Sequence, residues 1–173
     1  MMLTEALTAD GEGRTQDAAS AYEAALLSNP LDLVATMNLV VLYWHATDYG
    51  VSATEHLPRE FVALAGNRFR ELLEAARVRF PDRPEVLFWT RYIAWADLGE
   101  PFEPAECRKL LFDHPEYLEP AFVLFARSAG VEAEAEAIQL LDRCSKEQTT
   151  RCRYIVSVIK GVLKRLPRNP GPS

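Results

Sequence analysis

Cysteine is scarce in this 173-residue chain, and the little there is forms no pattern. Cys107, Cys144 and Cys152 are odd in number and stand in no C-x-x-C or Cys/His spacing. That argues against both a disulfide framework and a zinc site, and makes a reducing compartment, the cytoplasm, the simpler home. Long apolar runs are missing too: no stretch approaches the roughly 18 consecutive apolar residues of a membrane span. The opening MMLTEALTADGEG is acidic and has no apolar run of signal-peptide length, so neither a leader nor a span is expected. Also absent are a Gly-rich phosphate loop, H-E-x-x-H and G-x-S-x-G. Strand alternation with hairpin turn signals is not sustained anywhere.

Charge is unevenly placed. The net is -6, but residues 149–173 carry Arg151, Arg153, Lys160, Lys164, Arg165 and Arg168 with no acid, which leaves the rest of the chain strongly acidic. An acidic body repels nucleic acid and anionic membranes over most of its surface, so any anionic partner has to use the C-terminal end. The composition, 49% hydrophobic and 25% charged, is that of a globular protein able to bury a core without a cofactor.

What is present is helical periodicity from end to end, which predicts an all-α fold. Helices are expected over about 2–9, 15–28, 32–46 and 59–79, then in PEVLFWTRYIAWADLGEP and PAECRKLLFDHP, then over about 117–128, 132–145 and 149–166. Asn29-Pro30 and Phe80-Pro81 end two of them. The segment 47–58, with Gly50, Ser52 and Pro58, reads as an inserted loop, and PRNPGPS at the end as a disordered tail over 167–173. The remainder, 1–166, is expected to be a single domain.

One stretch is more specific. In AASAYEAALLSNP, Ala18, Tyr22, Ala25 and Pro30 are spaced as in a helix that offers small and aromatic residues to a partner helix and then stops. In the following LVATMNLVVLYWHATDY, Ala35, Asn38, Leu39, Tyr43, Asp48 and Tyr49 fall as in the first helix of another pair. Together they resemble the tetratricopeptide repeat, a helix-turn-helix unit of 34 residues. Trp89, Tyr92 and Trp95 are also spaced as in half-a-tetratricopeptide repeats. The resemblance is good from Ala18 to Tyr49. Downstream, Phe69 and Arg91 stand where the family prefers small residues.

The resemblance implies a short right-handed α-solenoid of about four antiparallel helix pairs with a C-terminal capping helix. It also implies that the first helix of each pair lines a concave surface. Met37, Val41, Trp44 and His45 of one unit, and Phe88, Tyr92 and Trp95 of the next, would then form an aromatic-rich partner-binding surface. The competing reading is that the chain itself fills this groove, with the 47–58 segment or the last helix, and that the aromatics are core.

The last helix is amphipathic. Cys152, Ile155, Val156, Ile159, Val162, Leu163 and Leu166 share one face, and Arg151, Ser157, Lys160, Lys164 and Arg165 lie on the other. A lid sealing the helical array is the favoured reading. Under the alternative, Arg151, Arg153, Lys160, Lys164 and Arg165 bind an anionic partner such as RNA, a partner class the acidic body disfavours. No catalytic residue, metal ligand or cofactor is assigned, although an enzyme using His45 or His56 stands as a third reading. The expected function is a non-enzymatic protein-interaction module, whether adaptor, export chaperone or inhibitor, that binds a segment of another protein. Self-association as a homodimer is a further expectation.

Overall fold

The computed structural model describes residues 2–167; the expected tail lies, but for its first residue, outside them. Among the described residues there are ten helices and no strand. They are α1 (Met2–Gly11), α2 (Thr15–Ser28), α3 (Leu33–Ala46), α4 (Tyr49–Thr54), α5 (Arg59–Arg79), α6 (Pro84–Leu98), α7 (Pro104–Asp113), α8 (Pro120–Arg127), α9 (Glu134–Glu147) and α10 (Thr150–Arg165).

The boundaries follow local chemistry. Three helices end at X-Pro: Asn29, Phe80 and His114 take φ of -138°, -133° and -134°, and each still donates its N–H to the carbonyl four residues back. The ring of the following proline excludes the helical conformation for the residue before it, so each chain turns away at the same geometry. Starts are equally explicit. Asp32, Asp48 and Thr149 accept hydrogen bonds from the backbone N–H of Ala35, Val51 and Cys152 at 2.9, 3.1 and 3.2 Å. Pro84, Pro104 and Pro120 open α6, α7 and α8, where no N–H is needed. Gly99 closes α6 at φ +66°, a left-handed position that a side chain would strain.

One expectation is corrected. The 47–58 segment is not simply a loop, because Asp48 caps the short α4, whose residues are all at least partly exposed. Thr15 holds it to α2 through a 2.6 Å hydrogen bond to Glu55.

Helix α3 is the centre of the molecule. Every residue from Ala35 to Trp44 is buried, as a helix apolar on all sides requires. It packs against α2, α4, α5 and α10, while α1 packs on α2, α7 on α8, and α9 on α8 and α10. On the α5 side, Arg68 grips the Glu23 carboxylate with two hydrogen bonds of 2.8 and 2.9 Å, and the Tyr43 hydroxyl donates to the same group.

Two buried polar nodes tie distant segments together. Asp10, 1% exposed, accepts from the Tyr22 hydroxyl at 3.0 Å and from the backbone N–H and hydroxyl of Thr150 at 2.8 and 2.6 Å. This carboxylate from the end of α1 therefore caps the start of α10. Glu119 accepts from the Trp89 indole at 2.6 Å and the Tyr117 hydroxyl at 2.8 Å, with the largely buried Arg151 guanidinium 3.6 Å away. Each acid satisfies donors that would otherwise be stranded in the core.

Candidate functional site

Helix α10 decides what becomes of the expected concave surface. Its Tyr154 ring enters a cluster built from three other helices, with ring centroids 5.3 Å from Trp44, 5.8 Å from His45, and 6.1 to 6.3 Å from Tyr92, Trp89 and Phe122. Its hydroxyl meets that of Tyr92 at 2.6 Å. Burial pushes both phenols above their ordinary range, which keeps them neutral and able to share this bond.

The consequence for the expected site residues is direct. Met37, Val41 and Phe88 are fully buried, Tyr92 is 5% exposed and Trp44 9%. They are core, not an open groove: Tyr154 of α10 packs on Trp44 and Tyr92, while Phe102, Tyr117 and Phe122 enclose Phe88. Trp89 and Ile93 are buried with them. Trp95 is the exception at 38% exposed, stacked beneath the Arg127 guanidinium at 4.8 Å and away from the cleft described next.

The basic set divides in the same way. Arg151 is turned inward beside Glu119, and Arg153 donates to the Asp10 carbonyl at 2.7 Å. Arg151 is largely withdrawn from solvent, whereas Arg153 stays partly exposed at the cleft described next. Lys160, Lys164 and Arg165 are exposed. Seen from the core, α10 contributes Cys152, Ile155, Ile159 and Val162, all buried.

Between α10 and the C-terminal ends of α3 and α6, an open cleft of about 740 Å³ remains. Trp44, His45, Asp48, Tyr49, Val51, Ala96, Asp97, Arg153, Tyr154 and Ser157 are among its walls. The Trp44 indole donates to Asp97 at 2.9 Å, which fixes the floor. Tyr49 stands at the rim, 86% exposed. Half-burial holds the His45 imidazole below its ordinary pKa of 6.5, partly offset by Glu55 and Asp48, and no hydrogen bond to its ring is found among the described residues. The ring is a neutral, partly apolar wall with an unused donor and acceptor. Asp48 and Asp97 each spend one carboxylate oxygen on the fold and turn acidic character toward the opening.

Such a cleft offers aromatic surface, two acids, the Arg153 guanidinium and an imidazole, which suits recognition of a short chain segment or a protruding side chain. Sequence reading found Trp44 and His45. It missed Asp97, Tyr154 and Ser157, which come from elements far away in the chain. The one legible signal was Tyr154, an aromatic at the border between the two faces of α10.

Among the described residues, no three or more His, Cys, Asp or Glu side chains are grouped to hold a metal ion, and no helix is long and apolar enough to cross a membrane. Comparison with protein-family models, with curated proteins and with solved structures finds no match.

Proposed function

We propose that the chain is a protein-interaction module that receives a short segment of another protein in the cleft between α3, α6 and α10. The observation that carries this reading is the cleft itself: an aromatic-walled opening of about 740 Å³ with Tyr49 standing free at its rim. Large rings at such an opening contribute binding energy when a partner covers them. Asp48 and Asp97 outnumber the single cation Arg153 in the walls and stand on a body of negative charge, which favours a neutral or basic segment over an acidic one.

In this reading the architecture is a short right-handed α-solenoid, divergent from the tetratricopeptide pattern, with α10 as its lid. The proline-terminated helix ends support it: Phe80 and His114 stand 34 positions apart, the length of one repeat unit. An α10 lid would close one side of the expected groove and leave the cleft as its open remainder. Adaptor, export chaperone and inhibitor all use such a surface.

The test is peptide selection from a random displayed library on the full chain and on an Ala96→Arg variant, which places a long cation in the cleft wall. Neutral or basic peptides that bind the former and lose at least about tenfold in affinity for the latter support the reading. Selected peptides that bind both equally, or an empty selection, overturn it.

A further inference from the structure

We infer that Cys144 and Cys152 form a hydroperoxide-sensitive dithiol, a site of reversible disulfide formation between α9 and α10. The two cysteines lie in different helices, on either side of the Gln148–Thr149 turn. Both thiols line one cavity of about 380 Å³, whose walls include Tyr117, Glu119, Arg143 and Arg151. Each is almost fully covered by protein, 3% and 2% exposed, so the cavity is the route by which a small oxidant reaches them.

Cys152 is the better nucleophile on four counts. It lies in the first turn of α10, where the helix dipole favours an anion, and its N–H is held by Thr149 at 3.2 Å. Its thiol donates to the Glu147 carboxylate at 3.4 Å, which provides an acceptor for the departing proton. Interaction with the Cys144 thiol, with Thr149 and the neighbouring Arg151, outweighs burial and the Glu147 charge and holds it below the ordinary thiol range, whereas its partner Cys144 is pushed above that range. Finally, Arg151 Nε is buried with no hydrogen-bond partner, since Glu119 at 3.6 Å is out of reach. A thiolate, or the oxygen of a sulfenate, is the kind of acceptor this orphan donor lacks.

The chemistry balances. The Cys152 thiolate attacks one oxygen of a hydroperoxide, the O–O bond breaks, and the leaving alkoxide or hydroxide takes up the proton given to Glu147. The product is a sulfenic acid. The Cys144 thiol then attacks the Cys152 sulfur, an S–S bond forms and water leaves. Overall, two thiols and one hydroperoxide give one disulfide, one alcohol or water, and one water. Cys107 serves as an internal control, because it is buried away from this cavity and burial pushes its thiol up to about 12.

The test uses the full chain, freed of reductant, treated with hydrogen peroxide and mapped by mass spectrometry without reduction. A Cys144–Cys152 link is expected, with loss of two hydrogens, reversal by dithiothreitol, and consumption of Cys152 at least about tenfold faster than Cys107. In Cys144→Ser the reaction should stop at a Cys152 sulfenic acid trapped by dimedone. Sulfinic acid without a link in the unmodified chain overturns the proposal. So does oxidation of all three cysteines at one rate, or linkage through Cys107.

Discussion

The Asp10 carboxylate and the Thr150 backbone N–H lie 2.8 Å apart, although 140 positions separate them in the chain. An acid from the end of the first helix thus supplies the N-terminal cap of the last one, supplementing Thr149. Replacing Asp10 with Ala strands the Thr150 and Tyr22 donors in a buried site. A loss of about 3 kcal/mol or more is expected in urea denaturation. Tyr22→Phe, which removes one bond and keeps the ring, should cost only about 1 kcal/mol.

Deletion of α10 tests whether it is structural. Ile155 and Ile159 are fully buried and Val162 nearly so. At roughly 1.5–3 kcal/mol for each such side chain, their loss alone is comparable to the stability of a small domain. A chain ending at residue 148 should lose its near-ultraviolet circular dichroism and bind a hydrophobic dye. Changing Lys160, Lys164 and Arg165 together to Gln should instead leave thermal stability within about 0.5 kcal/mol. If that triple variant also unfolds, the exposed charges of α10 matter to the fold in a way its packing does not explain.

Glu119 joins Trp89, Tyr117 and Arg151 in the core. Glu119→Leu leaves the buried guanidinium uncompensated, and a cost of about 3–5 kcal/mol is expected from chemical denaturation. Adding Arg151→Met to that variant should restore much of the loss, since a buried pair replaced as a whole removes the unpaired charge. Additive losses would show that the pair does not act as a unit.

His45 makes stability depend on pH. Burial lowers its pKa in the folded chain below the 6.5 of the free side chain, so on acidification the unfolded chain binds the proton first. Its contribution is fully present above pH 6.5, and it is lost as pH falls from there through the folded-state pKa. Denaturation midpoints measured between pH 7.5 and 5 should decline over this window, and His45→Gln should flatten the decline. An unchanged slope in that variant would assign it to other groups.

The helices were legible for a local reason: their starts and stops rest on short-range chemistry. Asp32, Pro84, Gly99 and the X-Pro ends at Asn29, Phe80 and His114 act within a turn of their own position. Gly50, Ser52 and Pro58 read as a loop over 47–58, whereas in the structure the one side chain of Asp48 caps a short helix there. Which face each aromatic presents is not local information. Trp44 and Tyr92 have the composition of a binding surface and the position of a core, and nothing within their own helices distinguishes the two.

Periodicity and capping residues in the sequence were thus enough to determine an all-helical chain, the limits of most of its helices and the two-faced character of α10. The tertiary structure alone decided where that face goes. By inserting Tyr154 among Trp44, Trp89 and Tyr92, α10 covers the aromatic centre of the expected binding surface, leaves one cleft open, and turns Arg151 from a surface cation into a largely buried one. It also brings Cys152 to the cavity wall that Cys144 shares. The physical reason is that capping and periodicity act over a turn or two of helix, whereas burial depends on which distant segment comes to cover a face.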